Sequence, residues 1–280
     1  MSVDLYAVIG NPVAHSRSPA IHAAFARETG QAVAYERLLC PMDGFEAVVR
    51  DFAAAGGRGC NVTVPFKFEA PRLAARCSER ARRAGAANVL RFDAEGWFAD
   101  NSDGVGLVRD IEDGAGEPIA GRRVLLVGAG GAGAGVLGPL LERRPAQVAV
   151  ANRTAEKARA LVASHAAWAR QQDAALDAVP LDQPGTAYDI VLNASATSLQ
   201  GQAAPVPGGV LAPGALAVDL MYGPAAEPFL AWAREAGATA RDGLGMLVEQ
   251  AAEAFFIWRG VRPATAPVLR MLRDDMAAGQ

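Results

Sequence analysis

The feature that most constrains this chain is a short apolar run, Val124-Leu125-Leu126-Val127. It leads directly into Gly128-Ala129-Gly130-Gly131-Ala132-Gly133 and then an apolar helical stretch. Glycines at that spacing let the chain turn sharply after a strand, bring backbone N–H groups close to a pyrophosphate, and let helix pack on strand. Alone the pattern would be a tight turn; between a strand and a helix it predicts dinucleotide binding. The glycines also argue against a membrane reading. Val124 to Leu141 is eighteen residues without a charge, long enough for a membrane span, yet six of them are glycine and one is Pro139. Pro139 falls inside the expected helix and predicts a kink or an early break.

The next strand, Gln147 to Ala151, sharpens the prediction. In such a unit it normally ends in Asp or Glu, which holds the ribose 2′-hydroxyl of NAD. Here it ends in Asn152-Arg153-Thr154, with Lys157 one turn later. Two cations and a hydroxyl in place of a carboxylate favour a 2′-phosphate, and hence NADP. Cations at a helix N-terminus oppose its dipole, which a bound anion would explain.

A length of 280 residues suggests two domains at about 150 residues each. Apolar residues are 51% and charged residues 20%, which suits a globular chain rather than an extended one. A net charge of −3 provides no positive field for nonspecific nucleic-acid binding. Cys40, Cys60 and Cys77 are odd in number and lack metal-type spacing, so neither a disulfide framework nor a zinc site is expected, and a reducing cytoplasm fits. The first ten residues lack the basic start and long apolar core of a signal peptide. Only His15, His22 and His165 are present, which argues against a metal site or a histidine-based dehydrogenase. Twenty-five of the cations are Arg; Lys67 and Lys157 are the only lysines, marking positions where an ammonium is preferred to a guanidinium.

Strand and helix patterns alternate along the chain. Strands are expected at Val3 to Ile9, Val33 to Leu39 and Gly59 to Val64, with helices opening at Ser18-Pro19, where Ser18 is a hydroxyl N-cap, and running through Phe45 to Phe52. Asn88 to Phe92 and Trp97 to Ala99 read as a hairpin. A second series has strands at Val124 to Val127, Gln147 to Ala151, Asp189 to Asn193 and Ala215 to Leu220. Its helices are expected at Ala132 to Arg143, Ala155 to Ala169 and Glu227 to Ala236, and a helical stretch from Leu244 breaks near Gly260 and Pro263. The alternation predicts two α/β domains with mostly parallel sheets, the boundary falling between Asp103 and Gly121.

The N-terminal half carries polar groups suited to a small, hydroxyl-rich ligand. His15-Ser16-Arg17-Ser18-Pro19 places two hydroxyls at a helix N-terminus, a suitable place for a carboxylate. Asn61 and Thr63 share one face of a strand that Pro65 ends, with Lys67 just beyond. Asn88 lies on another strand, and Asp100-Asn101-Ser102-Asp103-Gly104 is a polar cluster near the domain boundary. One lysine and one aspartate are available for proton transfer.

With these residues in view the chain resembles the shikimate dehydrogenase family. The resemblance rests on Gly10-Asn-Pro-Val-Ala-His-Ser16-Arg-Ser18-Pro19, Asn61-Val-Thr-Val-Pro-Phe-Lys67, Ala84-Gly-Ala-Ala-Asn88, Asp100-Asn-Ser-Asp103-Gly-Val-Gly106, Gly128 to Gly133, Asn152-Arg-Thr154 and Asp242-Gly-Leu-Gly-Met-Leu-Val-Glu-Gln250. These run in the family's order over nearly the whole chain, and the Lys67 and Gln250 segments are far more specific than the glycines. The resemblance implies NADPH-dependent reduction of 3-dehydroshikimate to shikimate, in aromatic amino-acid (chorismate) biosynthesis. By resemblance, Ser16, Ser18 and Tyr222 would hold the substrate carboxylate, Thr63, Asn88, Asp103 and Gln250 the ring oxygens, and Lys67 with Asp103 would carry proton transfer. Cofactor contacts would fall on Gly128, Ala129, Gly130, Gly131, Ala132, Asn152, Arg153, Thr154, Lys157, Ser195, Leu220 and Gly243. The implied organisation is a substrate domain over 1–103, a Rossmann-type NADP domain over 104–242, and helices over 243–280 that return to the first domain. No metal, nucleic acid or membrane is implied, and a homodimer is left open.

Four positions depart from the family pattern. Ser102 stands for Thr, Ala87-Asn88-Val89 for Val-Asn-Thr, Asn193-Ala194-Ser195 for Asn-Ala-Thr-Ser, and Lys157 for a commoner Arg. Two rival readings fit less well. A quinate/shikimate dehydrogenase is disfavoured by Ser18 and by the cations at Arg153, because that branch often has Thr at the first and an acid near the second. A noncatalytic NADP-sensing protein is disfavoured by retention of both Lys67 and Asp103.

Overall fold

The computed structural model describes residues 3–195, 197–198 and 205–278. Contacts divide the chain into two units: Met1–Gly106 together with Val248–Gln280, and Leu107–Leu247. The first unit begins β1 (Asp4–Gly10), α1 (Ser18–Thr29), β2 (Val33–Leu39), α2 (Phe45–Ala54) and β3 (Gly57–Val62). It continues with β4 (Arg76–Cys77), α3 (Glu79–Ala84), β5 (Val89–Arg91), β6 (Phe98–Asp100) and the start of α4 (Asp103–Arg109). Its sheet runs β2-β1-β3-β5-β6-β4. β1 is parallel to β2 and β3, β5 is antiparallel to β3 and β6, and β4 is parallel to β6.

The sequence accounts for this layout. The run Tyr6-Ala7-Val8-Ile9 in β1 is buried throughout, as a strand covered on both faces requires. β2 lies at the sheet edge, and its exposed Glu36 and Arg37 suit that position. Phe45, Val49 and Phe52 are the buried residues of α2 and join a core that includes Ile9, Cys60, Val62, Phe66 and Leu90.

The second unit contains β7 (Arg123–Val127), α5 (Gly131–Glu142), β8 (Gln147–Ala151), α6 (Ala155–Gln171), β9 (Ala175–Val179), β10 (Tyr188–Asn193), β11 (Leu211–Asp219), α7 (Glu227–Glu235) and β12 (Thr239–Arg241). Its sheet order is β12-β11-β10-β7-β8-β9 and every pairing is parallel. Counted within the unit, this is the 3-2-1-4-5-6 arrangement of a dinucleotide-binding fold, with the order reversing between β7 and β10. The chain then forms α8 (Leu244–Arg259) and α9 (Thr265–Ala278). The first unit includes all of α9 and α8 from Val248 onward. Within that unit Trp258 donates to the Leu90 carbonyl at 3.0 Å and stacks on Tyr6, while Arg259 pairs with Asp4.

Two local expectations need correction, and three strands were missed. α5 runs through Pro139 rather than breaking there; the cost is the hydrogen bond that residue 139 would have donated to the Gly135 carbonyl. Ser18 is the first residue of α1 and not its cap, a position held by Arg17 without a side-chain bond. β9, β12 and the two-residue β4 were not anticipated, being short or alternating weakly at sheet edges.

Candidate active site

In the first unit, β3 ends and the chain turns so that Lys67 falls in a single 3-10 turn, Phe66–Phe68. Phe66 anchors the turn by stacking on Phe45 at 4.9 Å, and the Lys67 carbonyl accepts from Ala87 N at 2.8 Å. Lys67 Nζ then reaches Asp103 Oδ2 at 2.6 Å, with side chains only 13% and 6% exposed. A pair this enclosed has lost most of its hydration, so removing either partner leaves an uncompensated charge. Asp103 opens α4, where its charge suits the helix N-terminus, and its N–H donates to Asn101 Oδ1 at 3.1 Å.

Asn88 is the hub of the cluster. Its Nδ2 donates to Asp103 Oδ1 at 2.8 Å, Ser102 Oγ at 3.0 Å and Gln250 Oε1 at 3.1 Å, and its Oδ1 accepts from Ser102 N at 2.8 Å. Segments far apart in sequence are thereby joined within one unit. The Thr63 methyl lies against Gly10, where an added Cβ would sit 2.2 Å from it. With its methyl held, Thr63 presents its hydroxyl elsewhere.

Ser16 and Ser18 also come together. Ser16 Oγ donates to Ser18 Oγ at 3.1 Å and accepts from Ser18 N at 3.3 Å. Arg37 donates twice to the Ser16 carbonyl, at 3.0 and 2.6 Å, so an edge-strand cation that sequence reading missed pins the serine loop. Asn61, read from sequence only as a neighbour of Thr63, accepts from the Tyr35 hydroxyl at 2.7 Å and donates to the Asn88 carbonyl at 3.1 Å. Tyr35 had no local signal, because its partner is 26 residues away.

Behind this cluster lies an ionic one. Arg80 grips Asp100 at 2.6 and 2.8 Å and Glu253 at 2.9 Å, and Arg262 also pairs with Glu253. Burial opposes ionisation of Glu253, but Arg262 and Arg80 outweigh it and hold the carboxyl down at about 2.

In the second unit the glycine turn joins β7 to α5. Gly128 has φ +112°, and a Cβ there would strike Ala194 and the Ser195 amide at 2.8 to 2.9 Å; a Cβ on Gly133 would lie 2.1 Å from the Gly128 carbonyl oxygen. Ser195 is held by Asn193 Oδ1, which accepts its N–H at 3.2 Å and its hydroxyl at 2.6 Å. Asn152 Oδ1 accepts from Ala129 N at 3.1 Å and its Nδ2 donates to the Thr154 carbonyl at 2.9 Å, so Asn152 braces the turn. Gly243 N donates to the Met221 carbonyl at 2.8 Å, and an added Cβ would be 2.3 Å from the Leu220 oxygen. Tyr222 follows β11 and belongs to this second unit.

These residues suit a dinucleotide. A Cβ on Gly130 would meet nothing within 4 Å, and the first N–H groups of α5 have no partner inside the helix. Together they have the open space and free donors that a pyrophosphate needs. Beside it Asn152, Arg153, Ala155, Pro180, Leu181, Asp182 and Pro205 line an open hollow of about 370 Å³. Among the described residues no ion pair engages Arg153 or Lys157, leaving both cations available to a phosphate, whereas Glu156 is taken by Arg159. Asp182 in the hollow was not foreseen from sequence.

Comparison with known proteins agrees with this geometry. Residues 8–90 match the shikimate dehydrogenase substrate binding domain, 112–200 the shikimate / quinate 5-dehydrogenase family, and 243–273 the shikimate 5′-dehydrogenase C-terminal domain. The shikimate dehydrogenase (NADP(+)) of Acidovorax sp. strain JS42 is 63% identical over 278 residues, covering 99% of both chains. Among solved structures, an Ael1 enzyme from Pseudomonas putida is 47% identical with a TM-score of 0.87, covering 96% of this chain and 98% of that one. The shikimate 5-dehydrogenase of Thermus thermophilus in complex with NADP(H) and shikimate is 33% identical with a TM-score of 0.86, covering 97% and 99%. A near full-length match in sequence, on a fold with both clusters in place, makes this chain a member of the shikimate dehydrogenase family.

Proposed function

We propose that this chain interconverts 3-dehydroshikimate and shikimate with NADP as redox partner, a step of aromatic amino-acid (chorismate) biosynthesis, with Lys67 and Asp103 moving the proton. The observation that carries the roles is the enclosed Lys67 Nζ to Asp103 Oδ2 contact of 2.6 Å in a cluster of amides and hydroxyls. NADPH, when bound, supplies the hydride. As the ketone oxygen gains negative charge, the Lys67 ammonium gives it a proton; in the oxidising direction the neutral amine takes that proton back. Lysine suits this exchange because, unlike arginine, it can release its proton. Asp103 orients the ammonium through Oδ2 while Asn88 holds Oδ1.

In this reading Thr63, Asn88, Asp103 and Gln250 serve the ring oxygens, and Ser16, Ser18 and Tyr222 the carboxylate. Residues 1–103 with 243–280 form the substrate part and 104–242 the cofactor part. The turn Gly128 to Ala132 takes the pyrophosphate, Asn152 to Lys157 the 2′-phosphate side, and Ser195, Leu220 and Gly243 complete the cofactor contacts. Three free cysteines support a reducing, cytoplasmic setting. Lys67→Arg keeps the charge but not the proton transfer, so kcat for shikimate oxidation should fall about 10²- to 10⁴-fold in a variant with unchanged circular dichroism. A folded variant with near-normal kcat would remove Lys67 from the mechanism.

A further inference from the structure

Tyr35 lies on β2, with β1 between it and Asn61 on β3. Two strand spacings are about 9.6 Å, so a side chain that reaches from the edge strand to the third strand must be long, rigid and tipped with a donor. The phenol meets all three conditions. Its ring is held by His22, stacked flat on it at 4.2 Å and 7°; His22 is itself fully buried, and burial keeps its imidazole neutral by pushing it down to about 3. Burial likewise raises the Tyr35 phenol well above its usual value, so the hydroxyl remains a donor at every working pH.

We infer that Tyr35 is a positioning residue for the Lys67–Asp103 pair, acting through the Asn61 side chain and the Asn88 backbone. Its hydroxyl donates to Asn61 Oδ1 at 2.7 Å and so fixes which end of that amide faces inward. Asn61 Nδ2 therefore points at the Asn88 carbonyl, at 3.1 Å, which also accepts Val62 N at 2.9 Å. With its backbone held from two directions, Asn88 aims Nδ2 at Asp103 Oδ1, and Asp103 in turn holds Lys67. The tyrosine touches neither member of the pair, yet it sets the frame from which they are hung.

The inference rests on the proposed roles of Lys67 and Asp103, and the experiment separates the two. Tyr35→Phe removes one hydroxyl and keeps the stacking ring. It should lower kcat for shikimate oxidation about fivefold, the scale of one buried hydrogen bond, while leaving the KM for NADP unchanged. In an Asn61→Ala background the same change should cost nothing further, because the route is already cut; Asn61→Ser serves if Asn61→Ala does not fold. A Tyr35→Phe enzyme with a lowered melting temperature but normal kcat would make the tyrosine merely structural and overturn the inference. Equal losses in both backgrounds would overturn the route through Asn61. Lys67→Arg run alongside tells the failures apart: normal kcat there removes the pair and the inference with it, whereas lost kcat there with normal kcat in Tyr35→Phe removes only Tyr35.

Discussion

In the first unit Lys67, Asn88, Asp103 and Gln250 come from separate segments and meet through their side chains. In the second unit the glycine turn packs against Ala194 and Ser195, and Leu220 against Gly243, because side chains are missing there. The first arrangement is directional: each amide or carboxylate is aimed by the next. The second is steric: backbone approaches backbone, and N–H groups are left over for a ligand. The contrast teaches that the two clusters should fail differently, the first by losing chemistry and the second by losing cofactor.

The harshest test of that contrast is Gly133→Ala. A methyl group 2.1 Å from the Gly128 carbonyl oxygen must displace the turn, and a misplacement of about 1 Å can cost about 10²-fold. We expect kcat/KM for NADP to fall by that order while calorimetric affinity for shikimate alone is retained; a matching loss of shikimate affinity would break the division. Arg153→Ala should act more gently, raising the KM for NADP about tenfold through loss of one charge-assisted contact and leaving the KM for NAD unmoved. Equal KM values for the two cofactors in the unmodified enzyme would contradict the reading of that cation. The smallest effect concerns stability in the first unit. Glu253 is held at about 2 against an ordinary value of 4.5, so its ionised form stabilises the fold fully above about pH 4.5, and that contribution drains away as pH falls towards 2. Glu253→Gln should cost about 1–2 kcal/mol at pH 7, allowing for partial solvent screening, and the gap in melting temperature should narrow by pH 3. A gap independent of pH would show that packing, not charge, is what Glu253 contributes.

The same contrast explains what could be read in advance. The glycine turn, β8 and the Asn152-Arg153-Thr154 end are local, and local patterns carry their own geometry. The β5–β6 hairpin and most helices were legible for the same reason. β9 was not, because Ala175–Val179 is an edge strand with partial exposure and little alternation. Ser18 was misplaced because a hydroxyl before proline is a good cap by propensity, whereas here the hydroxyl serves its neighbour Ser16. Lys67 and Asp103 stand 36 residues apart, and no periodicity joins them; residue chemistry marked them as available for proton transfer, the family resemblance gave them roles, and the distance came from the fold. Tyr35 and Arg37 stayed hidden because each acts on a partner 26 or 21 residues away, and Glu253 because Arg80, the partner that ties it to Asp100, is 173 residues away.

The order in which a ribosome makes this chain bears on that first cluster. Leu107–Leu247 is one continuous segment, whereas the other unit is closed by Val248–Gln280, which emerges after that segment. Domains fold as units during synthesis, so the later-encoded unit is complete first, while β1 to β6 wait for Phe255 and Trp258 to cover Phe25 and Tyr6. Gln250 arrives in the same later stretch to accept from Asn88. Lys67 and Asp103 are thus synthesised well before the segment carrying Gln250, whose amide joins their cluster through Asn88.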